Sequence, residues 1–265
     1  MSRFNHLAAE SSNGVMTITL NRPDKRNALN PAMIEELTAA LREAETSSCG
    51  VVILTGAGTA FCAGLDLEHL ETMTAHTDEE NRRDSENMAR VLRSLHDFPK
   101  PVIAAVNGPA IAGGMALATI PDFTLAVPQA KFGYTEVRVG FVPAIVASFL
   151  LRQVGEKHTR DLLLTGRLIQ AQEAQQLGLV TQIVAAEELM RTAHALAQSL
   201  LLNSPQAMQS VKRLLARHAR RRLDEEIEDA IEANARQRAT EDFKEGVQAF
   251  LHRRRADWPS MRAKV

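Results

Sequence analysis

The chain has 265 residues, 45% hydrophobic and 24% charged, which is enough for one sizeable core with an appended helical part. Its 31 basic and 32 acidic side chains leave a formal charge of -1, so no global field recruits nucleic acid or an anionic membrane, and any anionic ligand must be held locally. No basic-then-apolar leader is evident and no apolar run nears the roughly 18 residues of a membrane helix, so a cytoplasmic protein that neither spans nor binds a membrane is expected.

In chain order, "GVMTITL" (14–20) alternates like a strand, "PAMIEELTAALREAE" (31–45) has helical periodicity behind a proline, and "VVILTG" (51–56) is a short buried-strand run. A polar stretch over about 71–84 reads as a loop. The amphipathic "NMARVLRSLHDF" then predicts a helix that stops at Pro99 and Pro101, where the strand "PVIAAVNG" begins. Two short strands are expected near "FTLAV" and "AKFG", then a turn and a helix after Pro143. Beyond about residue 185 the pattern is helical, with Leu223, Ile227, Ala230 and Ile231 forming an apolar stripe. The pattern is α/β, with a core over 1–195 and a helical C-terminal region over 196–265.

Three stretches can hold chemistry. "TGAGTAFCAGLDL" (55–67) is a glycine-rich turn after a strand, but it lacks the Lys and Ser/Thr of a P-loop and has Phe61 in place of the third glycine of a dinucleotide fingerprint. In "NGPAIAGGMALA", the unpaired N–H groups of a helix's first turn suit an oxyanion, and glycine lets a ligand carbonyl approach them; close helix-strand packing favours the same residues. In "KFGYTEVRVGFVP" (131–143), Glu136 stands among apolar residues. That setting favours a neutral carboxyl with a pKa raised towards the range useful for proton transfer, and a structural pair with Arg138 is the alternative. Cys49 and Cys62 lack disulfide-framework or metal spacing, and Cys62 has no activating histidine at a recognisable spacing, so it reads as a small packing residue. The scattered histidines lack HExxH spacing and GxSxG is absent, so neither a metal site nor a serine nucleophile is expected.

Together these stretches resemble the crotonase superfamily, the enoyl-CoA hydratase/isomerase family. The matching text is "LNRPDKRNALN", "GAGTAFCAGLDL", "PKPVIAAVNGPAIAGG", "KFGYTEVRVGFVP", "LTGRLIQAQEAQQLGLV" and "EDFKEGVQAFLHRR". The resemblance implies a repeated ββα core, a helical C-terminal region used in trimerisation, a homotrimer or homohexamer, and acyl-CoA thioester substrates, with coenzyme A part of the substrate and no separate cofactor. Matched residue by residue, it puts the oxyanion donors at the N–H groups of Ala63 and Gly113 and the acid/base at Glu136. It places Lys25, Arg26 and Ala28 along the CoA moiety, Ala63, Gly64, Leu65 and Asp66 against the pantetheine and thioester, and the polar stretch 71–84 beside the acyl pocket. Asp66 is also a candidate helix cap.

In two-carboxylate hydratases of the family a glutamate follows the glycines; here the matching position is Ala116. Hydration divides easily between two carboxylates, whereas a 1,3-proton shift needs one base, so this departure raises the isomerase reading. "TEVRVGFVPAIVASFLLRQVGEKHTRDLLLTG" is similar to bacterial methylglutaconyl-CoA hydratase-like members, some of which also lack that acid, and hydration is placed slightly ahead. The remaining readings are a non-catalytic acyl-CoA binder, motivated by Ala116, and an RNA binder using Arg220–Arg222 and Arg253–Arg255. Against the latter, aromatic residues make up only 4% of the chain, and the first cluster is expected to end one helix before another begins at "LDEEIED".

Overall fold

Apolar alternation at the start of the chain sets one edge of a six-stranded sheet. In the computed structural model, which describes residues 4–262, β1 (Leu7–Ser12) and β2 (Val15–Leu20) form an antiparallel hairpin turned by Asn13 and Gly14, both at positive φ. The sequence reading places no strand at β1, whose C-terminal half is exposed. Asn30 caps α1 (Pro31–Thr46), its side chain accepting the Met33 N–H, and Pro31 fits the first turn. β3 (Val51–Gly56) pairs in parallel with β2.

The stretch expected as a loop is largely helical. Asp66 caps α2 (Leu67–Thr72), and Thr77 and Glu80 form a reciprocal capping box at the head of α3 (Asp78–His96). Three acids in that first turn, Asp78, Glu79 and Glu80, suit the positive end of the helix, so the helix begins nine residues before "NMARVLRSLHDF".

β4 (Val102–Val106) is buried along its whole length, as a central parallel strand should be. It leads through β5 (Ala110–Ile111) into the short α4 (Gly113–Thr119), then β6 (Phe123–Ala126) and β7 (Lys131–Gly133). After a turn of 3-10 helix at Glu136–Val139, α5 (Ala144–Thr165) is two helical segments meeting at Gly155, whose φ of 73° no helix accommodates. β8 (Ile169–Gln170), α6 (Ala171–Gln176) and β9 (Gln182–Ile183) complete the sheets. The large one has the order β1-β2-β3-β4-β6-β9, parallel from β2 onward; the small one has the order β5-β7-β8. The α/β class expected from the sequence is what the chain forms.

Residue 195 falls inside α7 (Leu189–Leu201), whose Ala193 and Ala197 are fully buried, so the boundary drawn there cuts a helix packed on β3 and β4. α8 (Pro205–Arg238) and α9 (Glu241–Leu251) follow. α8 is one continuous helix of 34 residues, so no helix end separates Arg220–Arg222 from the acidic run after them; the side chains of 219–221 lie outside the description. Its second half packs on α3 and α5 through the expected stripe of Leu223, Ile227, Ala230 and Ile231, all buried. Arg93–Asp224 at 2.7 Å and Arg152–Glu226 at 2.5 Å flank that contact. No helix among the described residues is long and apolar enough to cross a membrane.

Candidate active site

Three distant pieces of chain meet in a small ladder. Residues 62–65 pair in parallel with Leu29 on one side and Ala110 on the other. Leu29 N–H donates to Gly64 O at 2.7 Å and Asp66 N–H to Leu29 O at 2.8 Å, while Cys62 N–H donates to Pro109 O at 3.1 Å and Ile111 N–H to Cys62 O at 2.9 Å. The same ladder decides which amides remain open. Ala63, matched from sequence to the first oxyanion donor, gives its N–H to Arg26 O at 3.0 Å, so it is not the open amide. The amide turned towards Leu29 is that of Asp66, and successive N–H groups of an extended chain point to opposite sides, so the Leu65 N–H faces away from Leu29. Leu65, two positions on, hydrogen-bonds to no acceptor among the described residues and lines the pocket.

Gly113 is the position matched from sequence to the second donor. Gly113 is the first residue of α4, where an N–H has no partner inside the helix, and it too lines the pocket. The two glycines do different work. A Cβ on Gly114 would lie 2.4 Å from Cys62 O, so that position is required for close packing, whereas one on Gly113 would meet nothing nearer than Leu29 Cδ1 at 3.3 Å. Ala112 before them is held at φ 51°, ψ -126°, a conformation costly for a residue with a Cβ, and its N–H is tied to Gly133 O at 2.8 Å.

Ala63, Leu65, Gly113 and Glu136 line one cavity of about 500 Å³. Glu136, in the turn after β7, is 9% exposed, and its Oε2 has no hydrogen-bond partner. Burial outweighs the one favourable contact, from its own backbone N–H, and pushes the carboxyl up to about 7. The pair with Arg138 raised from the sequence does not form: Arg138 lines the same cavity but ion-pairs with no carboxylate among the described residues. Ala116 is completely buried on α4 and leaves Glu136 without a carboxylate neighbour there.

Lys25, Arg26, Ala28, Gly64 and Asp66 do not line the cavity. Lys25 and Arg26 are exposed on the turn beside the ladder, with Lys25 Nζ 2.7 Å from Glu68. Ala28 is buried and its carbonyl accepts from Arg22 Nη1 at 2.6 Å. Asp66 is committed to Arg22 at 2.7 Å and to the Glu68 N–H, contacts that hold its carboxyl below the usual range against the opposing effect of burial, so it positions α2. Cys62 is buried and its thiol is pushed up to about 12 by desolvation, which makes it a packing residue as expected.

Sequence reasoning missed Asp84, Asn234 and Arg238, which also line the cavity. Arg238 Nη1 donates to Asp84 Oδ2 at 2.8 Å across 154 residues of chain, and His69 Nε2 lies 3.1 Å from Asp84 Oδ1. These partners hold the Asp84 carboxyl below its ordinary value although burial pushes the other way. Elsewhere, Arg222 and Arg254 engage Glu226 and Glu245 within the chain, at 3.0 and 2.5 Å.

Two open amides, one in the ladder and one at the head of α4, share a cavity with a buried carboxyl whose Oε2 is unpartnered, an arrangement compatible with enolate-forming chemistry. Residues 10–261 match the family model described as Enoyl-CoA hydratase/isomerase. A Thermus thermophilus relative is 44% identical over 91% of this chain and 95% of its own, and the short-chain-enoyl-CoA hydratase of Clostridium acetobutylicum is 35% identical over 96% and 97%. The crystal structure of an enoyl-CoA hydratase/isomerase from Xanthobacter autotrophicus superposes with a TM-score of 0.88 at 30% identity, over 94% of each chain. The chain belongs to the enoyl-CoA hydratase/isomerase family of acyl-CoA enzymes.

Proposed function

We propose that the protein hydrates a 2-enoyl-CoA thioester, with the N–H groups of Leu65 and Gly113 as the oxyanion hole and Glu136 as both base and acid. The observation that carries this reading is the cavity shared by Glu136, buried with an unpartnered Oε2, and the two open amides. Ionised Glu136 takes a proton from water as its oxygen attacks the β-carbon; the C=C electrons move onto the thioester carbonyl and give an enolate. Two preorganised donors bind that oxyanion more strongly than the starting carbonyl. Glu136, now a carboxylic acid, returns the proton to the α-carbon, so one water is consumed and the carboxylate is regenerated. A carboxyl held near 7 suits both halves of this cycle.

Lys25 and Arg26, exposed beside the ladder, supply local positive charge for the CoA phosphates. Val211, Leu214 and Leu215 on the first half of α8 are each more than half exposed, which supports burial in a homotrimer or homohexamer; light scattering after size exclusion tests it.

Ala116 favours one rival, a single-carboxylate isomerase. The deciding experiment follows products from crotonyl-CoA, 3-methylglutaconyl-CoA and a 3-enoyl-CoA by mass, with Glu136→Gln alongside. A mass gain of one water that Glu136→Gln abolishes supports hydration. Double-bond migration without water uptake establishes the isomerase, and undiminished turnover by the variant removes Glu136 from the mechanism.

A further inference from the structure

Much of the cavity wall is apolar, but one end of it is not. Arg238 and Asn234, both 4% exposed, lie one turn apart on the same face of α8. Arg238 Nε and Asn234 Oδ1 are buried without any hydrogen-bond partner, on side chains that line the cavity. Buried polar groups are normally paired, so an orphaned donor, Arg238 Nε–H, beside an orphaned acceptor, Asn234 Oδ1, on a cavity wall leaves polar capacity there for a ligand group. The guanidinium is held in place: Nη1 donates to Asp84 Oδ2 at 2.8 Å and to Asn81 O at 3.3 Å, and the group lies 5.0 Å over the Phe141 ring.

The position of this end fixes what can reach it. Met88 on α3 abuts Gly113, its Sδ and Cε within 3.8 Å of where a Cβ there would stand. Asp84 is one turn earlier on the same face of α3, about 6 Å along the axis. The polar end therefore shares one cavity of about 500 Å³ with the two amides, one turn of α3 beyond the methionine that abuts Gly113.

Charge selects among polar termini. The ionisable groups on the cavity wall are the cations Arg238 and Arg138 and the carboxyls Asp84 and Glu136. Asp84 is shared between Arg238 and His69, and Glu136, pushed up to about 7 by burial, is only partly ionised around neutrality. An acceptor-only group with negative charge matches the unpaired Nε–H, and Asn234 presents its NH₂ to the same group by a half-turn of its amide.

We propose that the acyl pocket recognises a short acyl chain ending in a carboxylate, gripped by Arg238 Nε and the Asn234 amide. This rests on the acyl-CoA reading of the site. An alkyl terminus of equal length leaves both groups desolvated and unpaired, which selects against it.

The test is calorimetric binding of two saturated, unreactive thioesters of equal chain length, adipoyl-CoA and hexanoyl-CoA, to the full chain and to Asn234→Leu and Arg238→Met. The expected result is binding of adipoyl-CoA at least about tenfold tighter by the wild type, with the ratio falling to one or below in Asn234→Leu. Reading a ratio cancels any shared loss from a weakened fold, and Asn234→Leu, close in volume and away from the Asp84 pair, keeps the test open if Arg238→Met does not fold. Equal or weaker binding of adipoyl-CoA by the wild type, or an unchanged ratio in Asn234→Leu, overturns the assignment while leaving the acyl-CoA reading intact. Failure to bind either thioester overturns both.

Discussion

Two carboxyls line the same cavity and are treated in opposite ways. Glu136, in the turn after β7, has no cationic partner and is pushed up to about 7 by burial. Asp84, on α3, is partly buried, and desolvation pushes its carboxyl up, yet Arg238 and His69 hold it below its ordinary value. Burial alone therefore does not decide charge; the partners that the fold supplies do. The first arrangement makes a group that exchanges protons near neutrality, and the second makes a fixed anion that orients an arginine.

Removing the proton-exchanging carboxyl should have the largest effect. Glu136→Gln is expected to lower kcat by about 10²- to 10⁴-fold while acyl-CoA binding persists, as measured by steady-state kinetics beside calorimetry. Asp84→Asn should instead act on stability: leaving Arg238 buried without its counter-charge is expected to cost about 3 kcal/mol or more in urea unfolding. If the two variants exchanged these phenotypes, the contrast between the carboxyls would be inverted.

Their pH responses differ in sign. The folded Glu136 pKa is raised, so its contribution to stability is fully present below the unfolded value near 4.5 and is lost as pH rises through about 7. Wild type should therefore lose up to about 3 kcal/mol relative to Glu136→Gln between pH 4.5 and 8, while its kcat/KM rises through the same region. The folded Asp84 pKa is lowered, so its contribution is present above the ordinary aspartate value and lost as pH falls through the folded one. Urea titrations of the two variants across pH separate these trends.

The donors themselves can be probed by backbone geometry. Gly114→Ala forces a Cβ against Cys62 O, and the shift needed to relieve it should misplace the Gly113 N–H and reduce kcat by about 10²-fold, the scale of losing one oxyanion donor. The smallest effect belongs to Ala112→Gly, which relieves the positive φ and should raise stability by about 1 kcal/mol in thermal unfolding.

Most of the sheet was legible because buried strands such as β3 and β4 are short, apolar and bounded by turn residues. The start of α3 was legible in principle: Thr77 and Glu80 have capping-box spacing, but the polar composition around them resembles a loop. Glu136 and Gly113 stand out as an acid among apolar residues and a glycine at a helix mouth. The choice of Leu65 over Ala63 could not be read locally, because it depends on which carbonyl from residues 26–29 claims which amide. The meeting of Asp84 with Arg238 joins helices far apart in the chain, and neither residue carries a local signal of the other.

The ladder beside the two open amides has a consequence for folding. Its members come from around Leu29, Leu65 and Ile111, and each holds the next by backbone hydrogen bonds. A partly folded chain lacking any one of the three segments has secondary structure but no matched pair of amides. Recovery of turnover during refolding should therefore lag the return of helical signal and coincide with amide-exchange protection at Leu29, Asp66 and Ile111, so that activity itself reports when the last segment has docked.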